Sequence, residues 1–175
     1  MSKSGAIDNE REIIDVINEE DLVIDSKPKR EVHLKNLLHR EVAILVLDEN
    51  GNLLLQQRSY KKKYFPGEWT VTAVGHVHSG QKPEDAAHEE LQEELGFDIP
   101  LRFVEKRKYE SDNHTSYGYL YLGTFHRGTK IIPDKNEIQK AEFKSKEQVE
   151  RMIESKEIGT HSIKTISNLF NGLYQ

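Results

Sequence analysis

The sequence predicts a single-domain α/β sandwich over residues 1–175, and three observations carry that expectation. A length of 175 residues is enough for one sizeable core and short for two. Apolar runs of strand length recur along the chain, with one amphipathic helical segment among them and two more near the end. No internal repeat, low-complexity tract or linker divides them, and residues 1–10 are expected to be flexible.

The elements follow in order. "EIIDVINEEDLVID" (12–25) has two short apolar runs around a polar tip and reads as a hairpin. Residues 26–37 contain Ser26 and Pro28 and fit either a loop or a short helix. In "HREVAILVLDENGNLLLQQRS" two apolar runs flank Asn50-Gly51, a pair suited to positive φ in a tight turn. Val42 to Leu47 is apolar on both faces, so this strand is expected to be buried on both sides. "YKKKYFPGEW" reads as a basic loop and "TVTAVGHV" as one strand. Pro83 suits a helix's first turn, Glu84 and Asp85 complement its dipole, and Gly96 fits a left-handed C-terminal cap. Strands are expected near 101–109, 116–126 and 138–143. Ser145 and Gln148 have capping-box spacing ahead of a helix, and a last helix starts near Thr160.

Composition excludes several classes of function. A formal charge of −5 and a pI near 5.9 argue against binding to a nucleic-acid polymer, which needs a basic face. No apolar run approaches the roughly 20 residues of a membrane span. "MSKSGAIDNEREIID" lacks the apolar centre of a signal peptide. A cytoplasmic location is expected. The chain has no cysteine, which removes disulfides, thiolate metal sites and cysteine nucleophiles.

The chemistry concentrates in "HEELQEELGF" (88–97). At about 100° per residue, Ala87, Leu91 and Leu95 form a stripe that faces the core. Glu90, Glu93 and Glu94, spaced i, i+3 and i+4, share the adjoining face. Carboxylates crowded in this way either form a solvated acidic face or surround a divalent cation, and glutamate oxygens suit magnesium or manganese. The preceding loop brings in Gly75 and Gly80. Written out, "GHVHSGQKPEDAAHEELQEELGF" (75–97) resembles the Nudix box, in which a glycine is followed by spaced glutamates and an Arg-Glu-aliphatic-any-Glu-Glu-any-Gly-hydrophobic run. Gly75, Glu90, Leu91, Glu93, Glu94, Gly96 and Phe97 fall on the pattern without gaps. Two positions depart: Gln81 stands at the first glutamate and Glu89 at the arginine. Gln81 keeps hydrogen-bonding capacity and loses a charge, whereas Glu89 adds a like charge four residues before Glu93. Activity is expected nonetheless, with a higher metal requirement.

This resemblance implies a Nudix-type α/β/α sandwich around a mixed β-sheet. It also implies a metal-dependent diphosphohydrolase that cleaves a P–O–P bond in a small-molecule diphosphate. Mg2+ or Mn2+ would be held by Gly75, Glu90, Glu93 and Glu94, and the proton acceptor would be Glu90 or Glu137. Much of residues 13–97 also resembles the branch containing type I isopentenyl-diphosphate isomerase and its hydrolase relatives. Arg58 and Lys62 match positions that hold the diphosphate there. The isomerase's cysteine falls where this chain has Ala73 and Val74, and its strand glutamate pair is missing from "ESDNHTSYGYLYLG", which offers only Glu110 and Asp112. His39 and His76 match isomerase metal ligands and His33 lies close to a third, so these are either a second metal site or structural histidines bonded to backbone. An isomerase-like protein without its cysteine and a non-catalytic diphosphate-binding module are the alternatives. A nucleoside diphosphate derivative is the first expectation for substrate, ahead of prenyl and sugar diphosphates, with Tyr60, Tyr64, Phe65, Tyr117 and Tyr119 either rings for stacking on a nucleobase or, as is more usual for aromatics in strands, part of the core. The assembly is expected to be a monomer or a homodimer.

Overall fold

The computed structural model describes residues 9–174, so the expectation for the first ten residues lies mostly outside the described residues. Glu10, within them, pairs with Lys63 at 2.9 Å and Arg30 at 3.9 Å. The strands are β1 (Ile13–Ile17), β2 (Val23–Pro28), β3 (His39–Asp48), β4 (Leu53–Arg58), β5 (Trp69–Thr70), β6 (Ala73–His76), β7 (Leu101–Ser111), β8 (His114–Phe125) and β9 (Ile138–Lys144). The helices are α1 (Lys29–Leu34), α2 (Pro83–Leu95), α3 (Lys146–Glu154) and α4 (Thr160–Phe170).

One mixed sheet organises the chain around β3. Strand β8 runs parallel to β3 over its whole length, from His39↔Ser116 to Asp48↔Phe125. On the other side β3 meets β1 at its start, β6 in the middle and β4 at its end, all antiparallel. The middle of β3, paired on both edges and covered on both faces, is apolar from Val42 to Leu47, and Val42 and Ile44 to Val46 are completely buried.

Alternation along β3 separates two cores. Val42, Ile44 and Val46 pack with Ala87, Leu91 and Leu95 of α2 on one face. Leu45, with Ala43 and Leu47, points to the other face, toward Val149 and Met152 of α3 and Ile166 and Leu169 of α4. The result is the expected α/β/α sandwich.

Local differences from expectation have clear causes. "TVTAVGHV" divides into β5 and β6 because Thr72, completely buried, turns its hydroxyl to the backbone. That hydroxyl donates to the Leu54 carbonyl at 2.6 Å and accepts from Val46 N–H at 2.9 Å. At the β3–β4 turn Gly51 takes a φ of +79° and Asn50 does not reach positive φ. The Asp48 carboxylate accepts from the N–H groups of Asn50 and Asn52, at 2.8 and 2.9 Å, and closes the turn in its place. Residues 29–34 resolve as a short helix, tied down by Lys29 N–H to the Glu12 carbonyl at 2.7 Å and by burial of Val32.

Candidate active site

Helix α2 forms where its signals predict. Pro83 occupies the first turn with Glu84 and Asp85, and Gly96 closes the helix at φ +73° with its N–H on the Gln92 carbonyl at 3.1 Å. Burying Ala87, Leu91 and Leu95 on the sheet turns the adjoining glutamates toward β6 and β4. Glu90 lies directly against Gly75: a Cβ added there would come within 1.8 Å of Oε1. Only glycine lets the carboxylate settle on the strand. Glu94, 8% exposed, accepts a hydrogen bond from Gln56 Nε2 at 3.0 Å. Glu93 stands at the exposed rim.

The other expected site residues gather at the same end. The 131–137 loop is pinned to the end of α2 by Ile132 N–H on the Leu95 carbonyl at 2.8 Å and Asp134 N–H on the Glu94 carbonyl at 2.9 Å. Glu137 therefore sits beside the helix, where its carboxylate meets Lys62 Nζ at 2.7 Å. Ser59 N–H on the Glu137 carbonyl, at 2.9 Å, anchors it to the end of β4. Arg58 donates from Nε to the Tyr64 carbonyl at 3.1 Å.

Electrostatics show what this patch lacks. Burial, followed by repulsion from Glu94 and Glu93, holds the Glu90 carboxyl well above the usual range, and Lys29 opposes this. Burial and then Glu137 push Glu94 up to about 8, against the Gln56 hydrogen bond and the charges of Arg58 and Lys62. The cations present do not balance the buried carboxylates. Oxygen donors with surplus negative charge fit a hard divalent cation such as Mg2+ or Mn2+.

The two departures from the Nudix pattern are partners. Gln81 Nε2 donates to Glu89 Oε2 at 2.6 Å, and Gln81 Oε1 accepts from His78 N–H at 3.0 Å. Glu89 is thus engaged by the loop, and the joint between loop and helix survives without the glutamate and arginine of the pattern.

On the opposite face of the sheet the histidines come together. His33 Nε2 and His76 Nε2 are 2.8 Å apart, and the His39 and His76 rings stack with centroids 5.4 Å apart. The ligand atoms of His33, His39 and His76 lie within 4.8 Å of one another, as do those of His39, Glu41 and His114. Burial first, then the other positive groups nearby, hold His33 down to about 4, and His76 lies well below its usual range for the same reason. Burial alone would raise Glu41, but the surrounding histidines, His114 and His39 first, hold it well below the usual carboxylate range. Sequence reasoning gave Glu41 and His114 no role. The local signal was His39-x-Glu41, two polar residues two apart, and so on one face of β3, just before its apolar run from Val42 to Leu47.

Lys63, 57% exposed on its side chain, and Lys61, hydrogen-bonded to Asn136 at 3.3 Å, belong to the loop surface as expected. Of the candidate stacking rings, Tyr117 donates to the Glu19 carbonyl at 2.8 Å, Tyr119 bonds to Asp21, and Lys106 lies over both. Tyr60, Tyr64 and Phe65 are exposed, and Phe65 holds a φ of +52°, an uncommon conformation for a bulky residue.

The NUDIX domain model matches residues 37–164. The chain is 39% identical over 129 residues to isopentenyl-diphosphate Delta-isomerase 2 of Photorhabdus laumondii, covering 71% of this chain and 73% of that protein. It is also 39% identical over 91 residues to the uncharacterized Nudix hydrolase all7351 of Nostoc, covering 51% of this chain and 54% of that one. In three dimensions it is similar to DR0079 of Deinococcus radiodurans, with a TM-score of 0.73 at 24% identity, covering 85% of this chain and 92% of that one. It shares the fold of the NUDIX domain of Shewanella oneidensis NrtR, whose structure is a complex with ADP ribose, at a TM-score of 0.63 and 13% identity over 77% of this chain and 87% of that one.

Proposed function

The chain belongs to the Nudix family, and from that premise we propose that it is a metal-dependent diphosphohydrolase acting on a nucleoside diphosphate derivative or a similar small diphosphate. The observation that carries this reading is the convergence of half-buried Glu90 and buried Glu94 with Glu137, Arg58 and Lys62 at one end of α2. Glu90, Glu93, Glu94 and the Gly75 carbonyl are the groups that would hold Mg2+ or Mn2+. Such an ion supplies polarisation of the phosphoryl oxygens and acidification of water.

The chain's own side chains do the rest. Arg58 and Lys62 bind the phosphates and offset the repulsion of an acidic site for an anionic substrate. Glu90 and Glu137 are the two acceptors for the water proton. Glu137 is the better placed of the two, because Lys62 holds it at 2.7 Å beside the phosphate-binding end, whereas Glu90 is committed to the metal. Tyr60, Tyr64 and Phe65, exposed on the loop after Arg58, are the rings open to a nucleobase. A cytoplasmic enzyme, monomeric or homodimeric, completes the proposal.

Isomerisation is the second reading, favoured by the names of relatives such as the Photorhabdus protein. The chain has no cysteine, and completely buried Ala73 with Val74 fills the segment where the isomerase carries one. Proton transfer at carbon lacks its residue here, so hydrolysis is the better-supported chemistry.

Phosphorus NMR of the protein with magnesium or manganese and a panel of diphosphates, isopentenyl diphosphate included, tests the proposal. Loss of a diphosphate signal in the wild type, abolished in Glu93→Gln, is the expected result. An untouched panel from protein that binds the metal would instead favour a diphosphate-binding module.

A further inference from the structure

The groups read above as holding a metal are divided between two elements. Gly75 belongs to β6, whereas Glu90, Glu93 and Glu94 belong to α2. Residues 77–82 join the two, so the path of this loop sets where the helix stands relative to the strand. The Nudix match begins at residue 37, yet the loop is gripped by β1, at Ile13–Ile17, outside the matched residues.

Three consecutive loop residues meet the hairpin. His78 forms a bridge with Ile14, and its Nε2 lies 3.6 Å from Glu12 Oε2. Ser79 N–H donates to the Ile13 carbonyl at 2.9 Å, and Ser79 Oγ donates to Asp15 Oδ1 at 2.6 Å. Gly80 N–H donates to Asp15 Oδ2 at 3.0 Å. From β2, Ser26 Oγ also donates to Asp15 Oδ1, at 2.7 Å. One carboxylate therefore gathers the loop and both strands of the hairpin.

We propose that Asp15 is a positioning residue for the metal site, acting through Ser79 and Gly80 to fix the loop that carries α2. This rests on the metal-dependent reading of the carboxylate patch and adds to it a residue outside the Nudix pattern. Three observations support the role. Asp15 is 7% exposed, and a buried carboxylate is costly unless donors surround it, as Ser26, Ser79 and Gly80 do here. Burial alone would raise its carboxyl, but Gly80 N–H, Ser79 and Ser26 hold it below the usual range, so the loop is bound by the charged form, the stronger acceptor. Second, a carboxylate that served the hairpin alone would bond only to Ser26, whereas two of the three donors stand 64 and 65 positions away, on the loop. Third, the two side-chain anchors of the loop have different partners. Gln81 Nε2 ties it to Glu89 of α2 at 2.6 Å, and Asp15 ties it to the sheet.

The consequence falls on the metal ligands. Gln81 and Glu89 keep loop and helix together, but that bond alone leaves the pair free to shift as a unit against the strand. Glu90 rests so closely on Gly75 that even a methyl group between them would collide with its carboxylate. Releasing the loop from Asp15 lets α2 draw away from β6, which separates the Gly75 carbonyl from the three glutamates and weakens any ion they share.

The test reads metal affinity rather than turnover. Full-length protein is titrated with Mn2+, the free ion is followed by electron paramagnetic resonance, and circular dichroism checks folding of every variant. Asp15→Ala is expected to weaken Mn2+ binding about tenfold and Ser79→Ala about threefold. Ser79→Ala should add nothing in the Asp15→Ala background, because both changes cut the same connection. Asp15→Asn keeps an acceptor for Gly80 N–H and offers its amide to the two serine hydroxyls, so it should regain most of the affinity. Ser79 is exposed and loses only a hydroxyl, so Ser79→Ala decides the matter if Asp15→Ala does not fold. Wild-type Mn2+ affinity in the folded variants, even with a lowered melting temperature, would mark Asp15 as structural only and overturn the inference alone. A wild type that binds no Mn2+ would overturn the metal-dependent reading, and this inference with it.

Discussion

Replacing Glu94 by glutamine should reduce the pH dependence of folding that the carboxylate patch builds in. With metal removed, the folded-state carboxyl is pushed up to about 8, by burial first and then by Glu137, from an ordinary value of 4.5. Glu90 faces it from the same helix, Gln56 and Arg58 from β4, Lys62 from the following loop and Glu137 from the loop before β9. Between those two values the folded state holds a proton that the unfolded chain has released. Stability therefore falls as pH rises through that window and levels off above it. At about 1.4 kcal/mol per unit the whole window amounts to about 5 kcal/mol, with about 3 kcal/mol already lost at neutral pH. Glu94→Gln keeps an acceptor for Gln56 and does not titrate. Urea unfolding in the presence of a chelator, across the acid-to-alkaline range, should show the wild type losing several kcal/mol relative to the variant. Added Mg2+ or Mn2+ should narrow the gap, because the ion takes the place of the proton. His33, held down to about 4, works in the opposite direction: its contribution is present above 6.5 and is lost as pH falls toward 4. Both proteins carry it, so it cancels in the difference. Parallel stability curves for the two proteins would refute the reasoning.

Three further outcomes follow from single contacts. Gly75→Ala puts a Cβ within 1.8 Å of Glu90 Oε1, so the carboxylate must move away, and turnover measured by loss of the diphosphate phosphorus NMR signal should fall about a hundredfold with folding unchanged by circular dichroism. If Gln81 and Glu89 compensate each other, a double-mutant cycle with Gln81→Glu and Glu89→Arg should show the pair exchange recovering about 1 kcal/mol that the single changes lose; additive melting shifts would deny the coupling. Thr72→Val strips the partner from both the Leu54 carbonyl and Val46 N–H, and should cost about 2 kcal/mol or more in urea unfolding while leaving metal stoichiometry untouched.

What the sequence disclosed, and what it withheld, depended on the range of the interaction. Helix α2 was legible because everything that makes it is local: Pro83 at the start, Gly96 at the end and an apolar stripe between them. The capping box was equally local, and Ser145 and Gln148 exchange the expected bonds, with Ser145 N–H on Gln148 Oε1 at 2.8 Å. The division of one apolar run into β5 and β6 was not legible, because Thr72 bonds to residues 18 and 26 positions away. Gln81 and Glu89 looked like two independent defects; only the fold of the loop over the helix makes them a bonded pair.

The histidine cluster marks the limit of local reading. The carboxylates that the β7–β8 segment offers, Glu110 and Asp112, are exposed. The carboxylate that the cluster contains, Glu41, belongs to β3, and His114 reaches it across 73 positions of sequence because β8 returns parallel to β3. Parallel pairing needs a crossover, here the whole passage through β4 to β7, so no short pattern can announce it. Once β3 lies between β6 and β8, however, alternation leaves no freedom. The residues that line the apolar α2 face and those that line the histidine face are fixed together, and moving β3 by one residue would exchange them. The register that buries Val42 and Ile44 against α2 is therefore the same register that places Glu41 among the imidazoles.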